Sequence, residues 1–359
     1  MNWDNYTSIL FALLRHALWQ SKEEIPHELS GEESKRFLSE AKKQAVLGLV
    51  IDSLIKQEVV RLPHKRVIEV TLALEKIKRG NYRVNEGVVK LHMLLEEYGV
   101  NYAVMKGQVV ASYYPNSMIR QFGDIDYYCC PVDFEQSLQT VRESWNVQPK
   151  INGSEKHADY EYQGNRYEPH YMLIDLHSKL RNNYLQELID KDKRAVAVIN
   201  GIAVRTLSPT LHSLYIFLHL YFHLIELGVG LRQFCDWAMI LHACRDEIDH
   251  DAIKQHLKVF GMEKAYRVCG SVLADNLGLP SDEFTYPLTD KDRKSADKIL
   301  DVVFYRGNMG HYNKRAGFHG WRHKVESMCI KISHFMKFYP LAPEFMRDWG
   351  WSVLKKTMI

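Results

Sequence analysis

The chain lacks the features that mark several classes of protein. Its six cysteines are scattered over 359 residues without a CxxC pair, which argues against a disulfide-stapled scaffold and favours reduced thiols. Lys plus Arg exceeds Asp plus Glu by only three, so the net charge gives no argument for nucleic-acid or membrane binding. With 46% hydrophobic and 25% charged residues, the composition excludes a disordered chain or a collagen-like fibre and leaves a packed globular protein.

Long uncharged apolar runs are also missing. No window approaches the roughly 18 apolar residues that a membrane helix needs. The first twenty residues place an acidic residue before a short apolar run, and Arg15 and His16 interrupt that run, which is unlike a signal peptide. We therefore expect a soluble cytoplasmic protein without a transmembrane segment.

Three regions differ in the periodicity of their apolar residues. Residues 1–100 and 208–359 repeat apolar side chains at helical spacing, whereas residues 101–207 carry short runs typical of strands. The strand-like runs are NYAVMK, GDIDYYCC, ADYEYQ, YMLIDLHS and IAVRTL, with PVDFEQSLQTVRES predicted as a helix among them. Ser208 and Pro209 form a cap and first-turn pair for the next helix. The pattern predicts an α+β fold in which a small mixed sheet lies between helical N-terminal and C-terminal regions.

The most informative stretch runs from Lys106 to Cys130. In a strand, Asp124 and Asp126 point to the same face because side chains alternate with period two. Two adjacent carboxylates repel and raise each other's pKa, so a cation or several donors must lie between them. Mg²⁺ is the economical answer because it prefers carboxylate oxygens together with substrate phosphate oxygens. The alternative is a Gly-Asp turn at Asp124 with Asp126 as a solvated edge residue.

A second strand-like run, YMLIDLHSKL at 171–180, places Asp175 and His177 on one face. An ionisable pair in an apolar strand is costly to bury unless it is paired or bound to something. Beside the GDID strand, Asp175 would complete a cluster of three carboxylates able to hold two metal ions. His177 could instead be a core histidine bonded to a backbone carbonyl.

These motifs resemble the uncharacterised nucleotidyltransferase family of the DNA polymerase beta-like superfamily. Lys-Gly, a helix, Tyr-Pro, Arg, Gly-Asp-Ile-Asp and Ile-Asp-Leu-His follow one another as in that family, and Gly107, Asp124, Asp126 and Asp175 match its motif positions. The resemblance implies a minimal nucleotidyltransferase fold, a mixed sheet flanked by helices. It also implies that the three carboxylates bind two Mg²⁺ ions, for which Mn²⁺ can substitute. The glycine-led helix N-terminus would face a nucleoside triphosphate, as its free N–H groups and dipole favour.

Two features depart from the superfamily pattern. Gln108 stands where Gly or Ser is usual, and the 15 residues between it and Asp124 are slightly more than usual. Lys106 could reach a phosphate in place of the missing donor, and Arg120 is a second candidate phosphate contact. Each of these two could instead be a surface charge. The predicted nucleotide-binding set is therefore Lys106, Gly107, Gln108 and Arg120.

Residues 219–241, HLYFHLIELGVGLRQFCDWAMIL, also resemble a helical segment of the family. His219 and His223 are four apart on a helix, which suits zinc, but neither an HExxH pattern nor a third ligand is evident. We expect them to cap or line the cleft. Arg232 and Asp236, also four apart, could form an ion pair that orients the cleft or could contact the nucleotide, and the structural role is favoured.

The last 59 residues are basic, with ten Lys or Arg against four Asp or Glu, and rich in aromatic side chains. Such a segment could bind a nucleic acid or a membrane surface. A helical lid with a solvated basic face explains it equally well, and recruitment is not favoured.

The sequence thus predicts a Mg²⁺-dependent nucleotidyltransferase that moves a nucleoside monophosphate from a nucleoside triphosphate to a hydroxyl group and releases pyrophosphate. Asp124 and Asp126 would bind both metal ions, and Asp175 would bind the ion at the attacking hydroxyl and help to deprotonate it. The acceptor stays open among a small molecule, a sugar or glycan precursor, a protein and an RNA end. The alternative, motivated by Gln108, is a non-catalytic nucleotide-binding or interaction protein that keeps the fold.

Overall fold

The computed structural model describes residues 5–22, 30–57, 62–151, 157–308 and 321–358. Helices dominate this part of the chain and flank one mixed sheet, so the predicted α+β class is confirmed. Within these residues, each helix falls short of the length or the apolar character that a membrane crossing needs.

The α-helices of the described ranges fall before, within and after the sheet region. In chain order they are α1 (Asn5–Trp19), α2 (Gly31–Lys43), α3 (Leu47–Gln57), α4 (His64–Glu97), α5 (Gly107–Ala111), α6 (Pro131–Trp145), α7 (Lys179–Asp190), α8 (Pro209–Glu226), α9 (Leu231–Ala243), α10 (His250–Phe260), α11 (Glu263–Asp275), α12 (Asp290–Arg306), α13 (Trp321–Phe338) and α14 (Pro343–Met358). Short 3₁₀ turns add Ser117–Ile119, Ser281–Glu283 and Tyr339–Leu341.

The described strands form one seven-stranded sheet. They are β1 (Tyr102–Met105), β2 (Ile125–Cys129), β3 (Lys150–Ile151), β4 (Ala158–Tyr162), β5 (Asn165–His170), β6 (Ala195–Ile199) and β7 (Ile202–Thr206). Their order across the sheet is β3-β4-β5-β2-β1-β7-β6. β2 pairs antiparallel with β1 and parallel with β5, and β4 pairs antiparallel with β5. The GDID strand therefore lies in the middle of the sheet, next to β5.

The two faces of the sheet are covered by different helices. Side chains alternate along β2, so Ile125, Tyr127 and Cys129 point to one face of the sheet. There they pack in an apolar layer with residues of α4 and α6. Asp126 and Tyr128 turn to the opposite face, where Tyr128 joins the large core that includes α1, α3, α8 and α9. Asp126 is thus a polar residue on a strand whose other positions are buried.

Helix α4 holds the segment that leads into β2. Gly80 lets the helix approach this segment closely, because a Cβ at that position would lie 2.0 Å from the ring of Phe122. The buried Asn81 side chain donates to the backbone oxygens of Met118 and Arg120, both at 2.8 Å. These contacts fix the chain just before the GDID motif.

Most of the predicted elements are present. The strands predicted in NYAVMK, GDIDYYCC, ADYEYQ and IAVRTL correspond to β1, β2, β4 and β7, and the predicted helix PVDFEQSLQTVRES corresponds to α6. Ser208 caps α8, and Pro209 lies in its first turn. The strand predicted in YMLIDLHS is wrong, since residues 171–178 connect β5 to α7 without a strand. β5 and β6 escape the sequence prediction because NRYEPH is polar and contains Pro169, while AVAVI lacks polar alternation.

All six cysteines are free thiols. The region boundaries predicted near residues 100 and 207 fall just after α4 and just before α8. The large core combines helices of the N-terminal and C-terminal regions with residues of the sheet. The division into the regions 1–100, 101–207 and 208–359 stays a prediction.

Candidate active site

Acidic side chains from two neighbouring strands meet near the centre of the sheet. Asp126 on β2 lies opposite Glu168 on β5 in parallel register. Because directly opposite residues share a face, both turn to the face that lies away from α4. Asp124 precedes β2 by one residue and is exposed, whereas Asp126 and Glu168 are half-buried. The structure therefore adds Glu168 to the carboxylates that the sequence places here.

The turn between β1 and α5 carries Lys106 and Gly107 to the same place. Lys106 Nζ lies 3.0 Å from Asp126 Oδ1. Gly107 has a φ of +37°, a conformation that favours glycine, and a Cβ there would lie 3.5 Å from the backbone oxygen of Asp124. The predicted phosphate-binding residues thus lie next to two of the predicted metal ligands.

The charges of this cluster are unevenly matched. Burial alone would raise the pKa of Asp126, but Lys106 and His170 hold it well below its usual range. Burial would likewise lower the pKa of Lys106, yet the Asp126 carboxylate outweighs it and raises that pKa. Burial, followed by the charges of Asp126 and Asp124, raises the pKa of Glu168 to about 8. Lys106 therefore neutralises Asp126, and Glu168, whose Oε1 lies 3.1 Å from Arg166 Nη2, stays crowded by Asp126 and Asp124.

Two histidines of α8 extend the polar contacts behind Lys106. His219 Nε2 lies 3.1 Å from Lys106 Nζ and 3.0 Å from His223 Nε2. Burial, followed by the charge of Lys106, lowers the pKa of His223 to about 4 and that of His219 well below its usual value. Both imidazoles are neutral near physiological pH and lie along the wall of the site beside Lys106.

Asp175 and His177 lie in the loop 171–178 instead of on a strand. Asp175 Oδ1 accepts hydrogen bonds from the backbone N–H of His177 at 2.8 Å and from the side chain of Asn182 at 2.9 Å. A carboxylate that bonds the backbone two residues ahead closes a tight turn, which is why the strand prediction fails here. His177 stacks on Phe222 of α8, with ring centroids 5.6 Å apart. The loop thus packs against α8, the helix that carries His219 and His223. The carboxylate that lies beside Asp126 of β2 is Glu168 of β5.

Arg120 and Asp236 form a buried ion pair. Arg120 Nε and Nη2 donate to the two carboxylate oxygens of Asp236, each at 2.7 Å, and the hydroxyl of Tyr114 donates to Oδ1 at 2.7 Å. The structure therefore corrects the predicted phosphate contact of Arg120, since its guanidinium is used inside the protein. It also corrects the predicted Arg232–Asp236 pair, because Arg232 Nη1 donates to the backbone oxygen of Gln121 at 3.2 Å instead.

The side chain of Gln108 is turned away from the carboxylates. It is 4% exposed, and its Nε2 donates to Asn81 and Asn85 of α4. Since α4 covers the opposite face of the sheet, this side chain is a packing contact and not the predicted nucleotide contact. The residue that departs from the superfamily pattern thus leaves the carboxylate face unobstructed.

Glu168 and His170 escape the sequence reasoning although they repeat the alternation of Asp124 and Asp126. His170 Nε2 lies 3.1 Å from Asp126 Oδ1. Both residues are in NRYEPH, where the Glu-Pro-His spacing puts the two side chains on one strand face. The spacing could have indicated them, but Pro169 makes the segment a poor strand candidate.

Two groups of potential metal ligands occur among the residues that the structure describes, with the ligand atoms of each group within 4.8 Å of one another. The first group is Asp126, Glu168 and His170, and the second is His157, Asp159 and Glu168. Neither group includes Asp124 or Asp175. Carboxylate oxygens suit Mg²⁺ and imidazole nitrogens suit transition metals, so a divalent cation is compatible with these donors.

Comparison with known families adds the observation that decides the assignment. The profile of the family described as "Uncharacterised nucleotidyltransferase" matches residues 30–278. The chain belongs to this family. The matched range contains the whole sheet, the Lys-Gly turn and the carboxylates of β2 and β5. Membership in this nucleotidyltransferase family confirms the resemblance seen in the motifs and supports nucleotidyl transfer as the general activity.

Other comparisons are more distant. The solved structure of an antigenic nucleotidyltransferase-like protein from Paracoccidioides brasiliensis is similar over 55% of this chain and 93% of its own, with 13% sequence identity and a TM-score of 0.35. A likeness this remote transfers no residue roles to this member of the nucleotidyltransferase family. None of the curated proteins matches the chain.

Proposed function

We propose that this protein is a Mg²⁺-dependent nucleotidyltransferase that transfers a nucleoside monophosphate from a nucleoside triphosphate to a hydroxyl acceptor, with release of pyrophosphate. One observation carries the proposal. The Lys106–Gly107 turn and the carboxylates of Asp126 and Glu168 converge on one face of the sheet, with Asp124 one residue before β2, in a chain that belongs to a nucleotidyltransferase family.

A divalent cation fits the residues present. Asp126 and Glu168 are half-buried and directly opposite each other, and like charges in that position are destabilising unless a cation separates them. The raised pKa of Glu168 reflects this crowding. Asp126 and Glu168 would hold the cation, with Asp124 on the exposed side. When bound, Mg²⁺ would offset the negative charge of the phosphates and favour attack at the phosphorus atom.

The chain's own residues supply positioning and charge. Lys106 neutralises Asp126, and its flexible ammonium group is well placed to contact a phosphate of the triphosphate. The left-handed conformation of Gly107 lets the turn lie close to Asp124. His219 and His223 support Lys106 from behind as neutral partners.

The third carboxylate is assigned to Glu168, which occupies the strand position that the sequence gives to Asp175. Its carboxylate is the candidate acceptor for the proton of the attacking hydroxyl. Asp175, in the loop that packs on α8, is a candidate to contact the acceptor. Because Gln108 packs against α4, the feature that motivates a non-catalytic alternative does not intrude on the carboxylate face.

The test is label transfer or pyrophosphate release from the four nucleoside triphosphates with Mg²⁺, for wild type, Asp124→Asn and Asp126→Asn. We expect each variant to lose at least about 100-fold of the activity, because charge stabilisation of this kind contributes several kcal/mol. Asp251→Asn on α10 is the matched control, since Asp251 is exposed and pairs with Lys254. Activity that survives in both site variants at the level of the control would contradict the proposal.

A further inference from the structure

The helices α13 and α14 pack against α8 through their inner faces. On α13, His334 Nδ1 lies 2.6 Å from the backbone oxygen of Ile225, and Phe338 is buried. On α14, the buried Trp349 donates from Nε1 to Glu226 at 3.3 Å. Both helices are therefore held on the large core by one apolar face.

The outer faces of the same two helices also carry large apolar side chains. Ile332 and Met336 are four residues apart on one face of α13, and Tyr339 follows in the turn after that helix. Trp351 and Leu354 are three residues apart on one face of α14. In that order their exposed fractions are 56%, 70%, 38%, 63% and 42%. A surface helix that buries one apolar face normally presents polar side chains to water, so these exposed residues indicate an interaction surface.

The two exposed groups adjoin where the helices meet. A Cβ at Gly350 of α14 would lie 2.9 Å from the ring of Phe335 of α13. The next residue along α13 is Met336, and the next along α14 is Trp351. The ring of Phe335 also contacts that of Tyr339, with centroids 5.3 Å apart. The outer apolar surface consists of Ile332, Met336, Tyr339, Trp351 and Leu354.

The charge around the outer apolar surface is positive. Residues 321–358 contain seven Lys or Arg against three Asp or Glu. Two of these three carboxylates, Glu344 and Asp348, pair with the buried Arg181 of α7, and Glu344 Oε2 lies 3.0 Å from Arg181 Nη2. The basic side chains of α13 and α14 that the structure describes are exposed or half-buried, and they are Lys331, Lys337, Arg347 and Lys355.

An anionic lipid surface matches both the apolar and the basic side chains. The rings of Trp and Tyr suit a membrane interface, aliphatic side chains enter its apolar layer, and Lys and Arg extend to the headgroups. A nucleic acid would use the charge and the rings but would leave Ile332, Met336 and Leu354 in water. A lipid layer also accommodates projecting side chains without a matching groove.

We propose that the outer apolar surface and its flanking basic side chains dock this protein on the surface of an anionic membrane. The composition of the C-terminal segment alone does not favour such recruitment, whereas the exposed apolar residues on two neighbouring helices do. The helices would lie on the membrane and not cross it. The inference goes beyond the proposed function and is tested without nucleotide or metal.

The experiment is sedimentation of the protein with vesicles at low salt. Vesicles of phosphatidylcholine alone are compared with vesicles that also contain phosphatidylserine. Two double variants separate the components of the surface. The apolar variant combines Met336→Ser with Trp351→Ser, and the basic variant combines Arg347→Gln with Lys355→Gln.

Matched controls remove similar side chains from other helices. Val132→Ser removes an exposed apolar residue of α6, and Lys65→Gln with Lys76→Gln removes two exposed lysines of α4. Thermal melts of every variant verify that it is folded.

We expect the wild type and the controls to bind vesicles that contain phosphatidylserine and not those of phosphatidylcholine alone. The apolar variant should lose at least about tenfold in affinity, because two side chains no longer insert. The basic variant should lose on the order of tenfold, because each basic residue near an anionic surface strengthens binding.

Several results would overturn the proposal. The first is wild type that does not bind anionic vesicles, or that binds both kinds of vesicle equally. The second is a double variant, apolar or basic, that binds anionic vesicles as well as the wild type does. Without vesicle binding, an oligonucleotide held by the wild type and released by the basic variant would assign the surface to nucleic acid. Self-association that only the apolar variant abolishes would instead assign it to a second copy of the chain.

Discussion

The cluster around Asp126 and the cluster around Asp236 are built from similar residues and are matched in different ways. Asp236 is 6% exposed, and Arg120 and Tyr114 donate to its carboxylate in a closed network. Asp126 faces one lysine and one histidine, and the carboxyl groups of Glu168 and Asp124 crowd it.

The cluster around Asp236 stabilises the fold, whereas the cluster around Asp126 is available to bind a ligand. A carboxylate whose donors are all supplied by the protein has no capacity left for a ligand, and its removal affects folding. Carboxylates that outnumber their internal partners leave room for a cation and a phosphate. Four measurements distinguish the two clusters, and the expected loss of stability decreases from the first to the last.

Arg120→Met removes the cation from the cluster around Asp236. We expect a loss of about 3–5 kcal/mol in the free energy of unfolding, because Asp236 is left buried without its cation. Urea denaturation of wild type and variant measures it. The double variant Arg120→Met with Asp236→Leu should lose less than the single one, since no uncompensated charge remains. A loss below about 1 kcal/mol in the single variant would show that the pair is no more than a surface-type ion pair.

Acid should destabilise the protein through the buried His212, whose Nε2 accepts the backbone N–H of Lys106 at 3.0 Å. Burial, followed by the charge of Lys106, lowers the pKa of His212 from 6.5 to about 3. The folded state binds the proton less readily than the unfolded state, so this contribution to stability is complete above pH 6.5 and is lost as the pH falls toward 3. Between about pH 7.5 and pH 5 the loss is about 2 kcal/mol.

The measurement compares the pH dependence of urea denaturation in wild type and His212→Gln. The variant should lose about 2 kcal/mol less over that range, whatever its stability at the higher pH. Identical slopes in wild type and His212→Gln would contradict the assignment of this acid sensitivity to His212.

Gly107→Ala tests the turn that brings Lys106 to the cluster around Asp126. The positive φ of Gly107 disfavours alanine by about 1 kcal/mol, whereas the space is sufficient, since a Cβ would lie 3.5 Å from the nearest oxygen. Denaturation should show this modest loss, and triphosphate affinity should fall with it. Gly31→Ala, at a position with open space and no positive φ, is the control. Unchanged affinity in Gly107→Ala would remove the turn from the nucleotide site.

Glu168→Gln should have the smallest effect on stability. Burial and the charges of Asp126 and Asp124 raise the pKa of Glu168 to about 8, which favours its protonated form at neutral pH, and glutamine has the shape and neutrality of that form. We expect a change below about 1 kcal/mol, together with a clear loss of divalent cation binding. A large loss of stability would instead show that the fold depends on Glu168 as it depends on Asp236.

Much of this arrangement could be predicted from the sequence. The period-two alternation in GDIDYYCC identifies β2 and the face to which Asp126 turns, and the Ser208–Pro209 pair locates the start of α8, because both signals are local.

The partners of these residues could not be predicted, because pairing depends on contacts distant in sequence. Asp236 lies four residues from Arg232 on one helix, yet it pairs with Arg120, which is 116 residues away. Glu168 takes its place beside Asp126 through the β2–β5 register, and the tight turn at Asp175 replaces the predicted strand. The apolar pattern of YMLIDLHS predicted a strand where there is a loop. Glu168 lies instead on β5, whose sequence is polar and contains Pro169.

We propose that the nucleotide reacts at the carboxylates of β2 and β5. A crystal structure with Mn²⁺ and a non-hydrolysable nucleoside triphosphate, with anomalous scattering at the manganese edge, tests it most directly. We expect anomalous density against Asp126 and Glu168, with the triphosphate next to Lys106 and Gly107. Triphosphate bound elsewhere, with no anomalous density at these carboxylates, would contradict the claim.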